Sequence, residues 1–177
     1  MYLIIVFLFD CVLRNKLFLG SEKFPKENCY KEYLSKHGGS SNGATSMEYT
    51  SYFFGVNAAN FEGALDIFSQ FFVSPSFNND AVFREVQAVD SEDSKNRILD
   101  NRRGLQVMKA FIDQRHPYSK FSTGNLQTLT DSNDVTRTLE AMRSFYRQYY
   151  RPEKMTLSLV GPQSVDELCD MVLISDI

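Results

Sequence analysis

"TSYFFGVNAANFEGALDIFSQFFVSP", Thr50 to Pro75, holds both element types of the fold in one line. Thr50 to Val56 is rich in tyrosine and phenylalanine and reads as a strand. Asn60 is then placed to cap a helix in which Phe61, Ala64, Leu65, Phe68, Phe71 and Phe72 recur at three- and four-residue spacing. That spacing puts one face of the helix on a core, and Pro75 lies beyond its end. A strand followed at once by a one-faced helix predicts helices laid on a sheet.

The pattern extends in both directions. Upstream, "LFLGSEKFPKENCYKEYLSKHGG" puts Pro25 at a first-turn position, allows a helix from Lys26 to His37, and stops it at Gly38 and Gly39. Asn42-Gly43 then reads as a turn or an irregular edge. Downstream, a long helix is expected from Asp80, with Val82, Val86 and Val89 as its apolar stripe and Leu99 farther along. Arg102 to Ile112 either continues it or begins another helix. "HPYSKFSTGNLQTL" reads as a polar, aromatic loop broken by Pro117 and Gly124. A helix from about Thr138 to Tyr150, a stop at Pro152, a strand from Met155 to Gly161 and a helix opening at Ser164 complete the chain. Ser164 and Glu167 have the capping-box spacing. With no internal repeat, the expectation is one α+β domain with a mostly antiparallel sheet.

Composition removes several function classes. The 177 residues are 43% hydrophobic and 23% charged, as in a soluble globular domain. Nineteen basic against twenty-two acidic residues give a net charge of -3, so nucleic acid is not an expected partner. Cys11, Cys29 and Cys169 are odd in number and widely spaced, which argues against a disulfide framework and for a reducing compartment. The apolar run Met1 to Phe9 is shorter than the roughly 20 residues needed to cross a bilayer. It has neither a basic start nor a small-residue cleavage site, so no membrane partner and no secretion are expected.

"REVQAVDSEDSKN", Arg84 to Asn96, raises a separate question. Glu85 and Glu92, seven apart, fall about 700° around a helix and so point the same way roughly 10.5 Å apart. Neither has a cation four residues on, although Lys95 stands three after Glu92, and Asp90, Glu92 and Asp93 crowd negative charge into one turn. A solvated helix face is the ordinary explanation; a divalent metal is another. Only His37 and His116 are present, neither with a second histidine one turn away, so the sequence by itself supplies one ligand and no partners.

"LFLGSEKFPKENCYKEYLSKHGGSSNGATSMEYTSYFFGV", "EGALDIFSQFFVSP", "REVQAVDSE" and "HPYSKFSTGN" resemble successive blocks, in order and at family spacing, of the N-terminal domain of the insulysin–pitrilysin zinc metallopeptidases. The resemblance covers Leu17 to about Ile174. It implies a metallohydrolase-like domain of the inverzincin type over residues 17–177, preceded by an atypical apolar segment over residues 1–16. It further implies peptide-bond hydrolysis by zinc-activated water, Glu92 as third zinc ligand and Glu85 as support behind it. The family's H-x-x-E-H motif supplies two histidine ligands and the glutamate base. Here the aligned residues are Cys11, Val12, Leu13, Arg14 and Asn15, so no catalytic residue is retained and tight zinc binding by this chain is not expected. Arginine stays protonated at neutral pH and cannot be the base.

The resemblance also assigns a substrate edge. Peptide backbone would pair with the strand edge after "GGSSN", at Asn42, Gly43 and Ala44, where Ala44 replaces the usual aromatic. Four readings stand: a fragment or mis-spliced form of a genuine metallopeptidase, a non-catalytic homologue that binds peptides or partners an active subunit, a small binding domain that folds alone, and an unrelated α+β protein. Expected partners are peptides and either the C-terminal half of the peptidase or an active homologue. The expected compartment is the cytoplasm, with mitochondrion and peroxisome as alternatives.

Overall fold

Within the apolar run at the N-terminus, Tyr2–Phe7 form a strand. The computed structural model describes the backbone of this strand, β1 (Tyr2–Phe7), and residues 20–46, 48–121, 123–131 and 134–175. Next come α1 (Cys29–Lys36), β2 (Ser40–Thr45), β3 (Thr50–Gly55), α2 (Phe61–Val73), α3 (Asn79–Asn96), α4 (Asp100–Ala110), the single-turn α5 (Leu126–Leu129), α6 (Thr136–Tyr149), β4 (Thr156–Val160) and α7 (Val165–Ile174). The strands form one sheet in the order β2-β3-β1-β4, and every neighbouring pair is antiparallel. Tyr2 lies opposite Gly55 on one side and Val160 on the other, so the first strand is internal to the sheet and β2 and β4 are its edges. The α+β expectation with a mostly antiparallel sheet therefore holds.

The chain divides into two compact units: Met1–Phe77 with Arg143–Ile177, and Asn78–Met142. In the first, α2 buries all six residues of its predicted stripe. Tyr52 and Phe54 of β3 are buried on alternate positions, whereas Phe53 between them is exposed, which is the two-residue period of a strand with one covered face. Phe68 packs against Phe54 and Phe72 with ring centroids 5.0 and 5.1 Å apart. The second half of α6 and Tyr150 close this core: Tyr150 shares a 2.7 Å buried hydroxyl hydrogen bond with Tyr52, and Tyr146 donates to the carbonyl of Phe72.

Local boundaries differ from the sequence expectation where caps decide them. The first helix begins at Cys29, three residues later than expected, because Asn28 takes a left-handed conformation at its start. It ends as predicted: Gly38 has φ 67°, and the Gly39 amide donates to the carbonyl of Leu34 at 2.7 Å. A Cβ on Gly39 would lie 2.6 Å from the carbonyl oxygen of Gly55, so this glycine also lets α1 meet the sheet. Asn60 occupies the N-cap of α2 without a side-chain cap bond, but Ser164 and Glu167 make the full capping box of α7.

Burial pushes the Tyr146 phenol up to about 12 from its ordinary 10. The folded chain then keeps a proton that the unfolded chain releases, so this contribution to stability is intact below pH 10 and is lost as pH rises through 12. Tyr146→Phe should make urea midpoints fall less steeply between pH 10 and 12, after a neutral-pH loss of about 1 kcal/mol for the orphaned carbonyl of Phe72. An unchanged slope would show that Tyr146 titrates freely.

Candidate functional site

Helix α3 is fixed by its apolar side. Asn78 caps it by accepting from the Asp80 amide at 2.8 Å; Val82, Val86 and Val89 are buried as the predicted stripe, and Ala81 is buried beside them. Off that stripe, Glu85 is half-buried and Glu92, two turns on, is exposed. Neither carboxylate has a hydrogen bond or ion pair among the described residues.

The other acids of the same turn are engaged. Asp93 is 5% exposed and accepts from Arg97, with Nε 2.9 Å and a terminal guanidinium nitrogen 2.8 Å from its Oδ2. The buried Asn125 also donates to that oxygen, at 3.4 Å. Asp90 accepts the backbone amide of Leu126 at 2.8 Å, so an anion lies at the start of the one-turn helix α5. The crowding of charge expected between Asp90 and Asp93 is therefore answered by Arg97 and by donors at residues 125 and 126. A metal is not needed to explain those two residues; Glu92 and Glu85 remain.

No group of three or more His, Cys, Asp or Glu side chains among the described residues could hold a metal ion. His37 lies against the ring of Tyr33, and His116 accepts the Tyr118 amide on Nδ1 at 3.2 Å. Cys11 to Asn15 lie outside the described residues. Of the side chains at the aligned positions, only the Cys11 thiol, as thiolate, is a good zinc ligand; the Asn15 amide is a poor one and the Arg14 guanidinium is none.

The second candidate element is β2, and here the structure decides between a turn and an edge in favour of the edge. Asn42-Gly43 is not a turn: it lies inside the strand, with Asn42 opposite Phe53, Gly43 opposite Tyr52 and Ala44 opposite Ser51. Asn42 and Ala44 are exposed and Gly43 is buried. Ser46 donates to the carbonyl of Tyr49 at 2.8 Å, which sets the alternation of the ladder and turns the Gly43 amide away from β3, toward the free edge. There it donates to the side-chain carbonyl of Asn42 at 2.8 Å. The three predicted residues thus share one open sheet edge, in the unit that does not contain α3.

Residues 12–113 match the family "Insulinase (Peptidase family M16)", and residues 136–173 match "Peptidase M16 inactive domain". The chain belongs to the insulinase family. Human insulin-degrading enzyme is 43% identical over 161 residues, which is 90% of this chain and 16% of that protein. The A-factor-processing enzyme of Saccharomyces cerevisiae is 45% identical over 156 residues, 87% of this chain and 15% of that protein. The crystal structure of pitrilysin has a TM-score of 0.87 at 29% identity, over 99% of this chain and 20% of that one. The chain therefore spans about a sixth of the length of these curated relatives.

In this insulinase-family domain the sequence reading missed three anchors. Asp90 and Asp93 were read only as surplus charge, although Asp93 and Arg97 have the four-residue spacing of a helical ion pair. The loop after Gly124 contains a capped turn, with Asn125 and Thr128 bonded reciprocally, and Asn125 followed by a leucine was the available signal. Lys109, 3% exposed, also went unnoticed; it donates to the carbonyl of Lys120 at 2.8 Å and ties α4 to the loop after Pro117. No described helix is long and apolar enough to cross a membrane.

Proposed function

We propose that this chain is the N-terminal, peptide-facing domain of an insulysin-like zinc metalloendopeptidase that has lost its zinc chemistry. One observation carries the reading: of the acids in the last turns of α3, Asp90 and Asp93 are engaged by protein donors, while Glu92 is exposed with no partner among the described residues. A carboxylate kept clear of its neighbours fits the role of third zinc ligand, and Glu85 on the same face fits support behind it. At the positions aligned with the family motif, Cys11 alone could ligate zinc, Asn15 is a poor ligand, and the positive charge of Arg14 disfavours a cation. No hydrolytic step is assigned to this chain. The atypical segment over residues 1–16 marks a boundary of sequence alone, since the family match already begins at residue 12 and β1 lies inside the sheet.

The open edge of β2 favours a second reading, a non-catalytic homologue that binds peptides or partners an active subunit. Asn42, Gly43 and Ala44 would then receive a peptide backbone by strand addition, once the Gly43 amide leaves the Asn42 side chain. Cysteine usage supports the cytoplasm as the compartment. The peroxisome is an alternative because one Arabidopsis thaliana relative, 43% identical, is named insulin-degrading enzyme-like 1, peroxisomal, and the mitochondrion remains the third option.

Metal analysis of the purified full chain after dialysis tests the loss of zinc chemistry. The expected result is no stoichiometric zinc. One tightly held zinc per chain would overturn the proposal.

A further inference from the structure

A cleft of about 400 Å³ lies in the Asn78–Met142 unit, where the end of α3 meets the start of α4. Three guanidinium-bearing residues, Arg97, Arg102 and Arg103, line it. Its single buried anion, Asp93, is already engaged by Arg97 at 2.8 Å. Among the described residues Arg103 pairs only with Asp100, at 3.3 Å, and that carboxylate is almost wholly in water, where such a pair contributes little. Arg102 has no ion-pair partner among the described residues. The cleft thus carries more positive than negative charge. Leu105 and the exposed ring of Phe121 form an apolar part of its lining.

We infer that this cleft is a binding site for an acidic peptide segment, with a carboxylate side chain against Arg102 and Arg103 and an adjacent apolar side chain against Leu105 and Phe121. Guanidinium groups match carboxylates in charge and in the fork of their donors, and the match strengthens where water is partly excluded. The apolar lining selects a peptide over a small inorganic anion, because phosphate leaves Leu105 and Phe121 unused. The site involves neither zinc nor hydrolysis, so binding alone reads it and it stands apart from the fate of Glu92.

Fluorescence anisotropy of a labelled Glu-Leu peptide, compared with its Gln-Leu counterpart on the full chain, tests this. The glutamate peptide should bind roughly three- to tenfold tighter, between the effect of an exposed ion pair and that of a charge-assisted one. Arg102→Gln should abolish that preference and Arg103→Gln should weaken it, with both variants melting like the parent. Arg147→Gln, an exposed arginine on α6, should leave it intact. Equal binding of the two peptides, or a preference that survives Arg102→Gln, would overturn the inference. So would inorganic phosphate displacing the labelled peptide at concentrations as low as those of the unlabelled glutamate peptide, which would mark a free-anion site.

Discussion

Phe68→Ala should remove about 3–5 kcal/mol of stability, the range for emptying a fully buried aromatic site. Phe68 is wholly shielded and touches rings from three elements: Tyr30 of α1 at 5.9 Å between centroids, Phe54 of β3, and Phe72 of its own helix. These neighbours are themselves held by the sheet and the helix, so they cannot collapse into the space left behind. Phe53→Ala is the internal control. The same residue type, one position along β3 from Phe54 and on the exposed side, should cost roughly 1 kcal/mol. Urea unfolding of the two variants separates the cases. Comparable losses would mean that the aromatic cluster is not the centre of this unit. Against a total stability of about 5–15 kcal/mol, the larger loss leaves little margin at physiological temperature.

Restoring the missing motif should have the largest effect on metal binding. In the triple variant Cys11→His, Arg14→Glu, Asn15→His, two imidazoles replace a thiol and an amide, and the guanidinium gives way to a carboxylate. The expected result is one zinc per chain where the parent holds none. Glu85→Gln on that background should lower zinc affinity by about 10–100-fold, the scale of losing a group that orients a ligand, and Glu92→Gln should lower it further. Zinc affinity is the chosen readout because the chain spans only 15–17% of its curated relatives and peptide hydrolysis can need the rest of such a protein. A triple variant that binds no zinc, or one indifferent to Glu92→Gln, would detach α3 from any metal role.

What could be read in advance depended on whether an element carries its own period. The stripes of α2 and α3 repeat over several turns, so Phe61 to Phe72 and Val82 to Val89 announce their burial. Gly38 and the Ser164–Glu167 pair work through local geometry and were equally legible. Strand β2 was not, because Asn42 and Gly43 both favour turns and only pairing with Phe53 and Tyr52 overrides that preference. The break between α3 and α4 has no glycine or proline to mark it. Among the candidate site residues, the facing of Glu85 and Glu92 followed from helical period. The engagement of Asp90 did not, since its partner is a backbone amide 36 residues away. Short helices such as α5 contain too few residues to show any period at all.

The position of β1 has a consequence for how the sheet is made. Its partners are β3, about fifty residues on, and β4, which ends at Val160, so β1 is flanked on one side by the described strand farthest from it in sequence. Closing a loop of that length before any reward from pairing slows folding relative to local hairpins such as β2–β3. Until β4 arrives, one long side of an apolar strand, "YLIIVF", stands open as a template for other chains. The hazard in producing this protein is therefore one of timing: aggregation competes during synthesis and refolding, and subsides once residues 156–160 have docked.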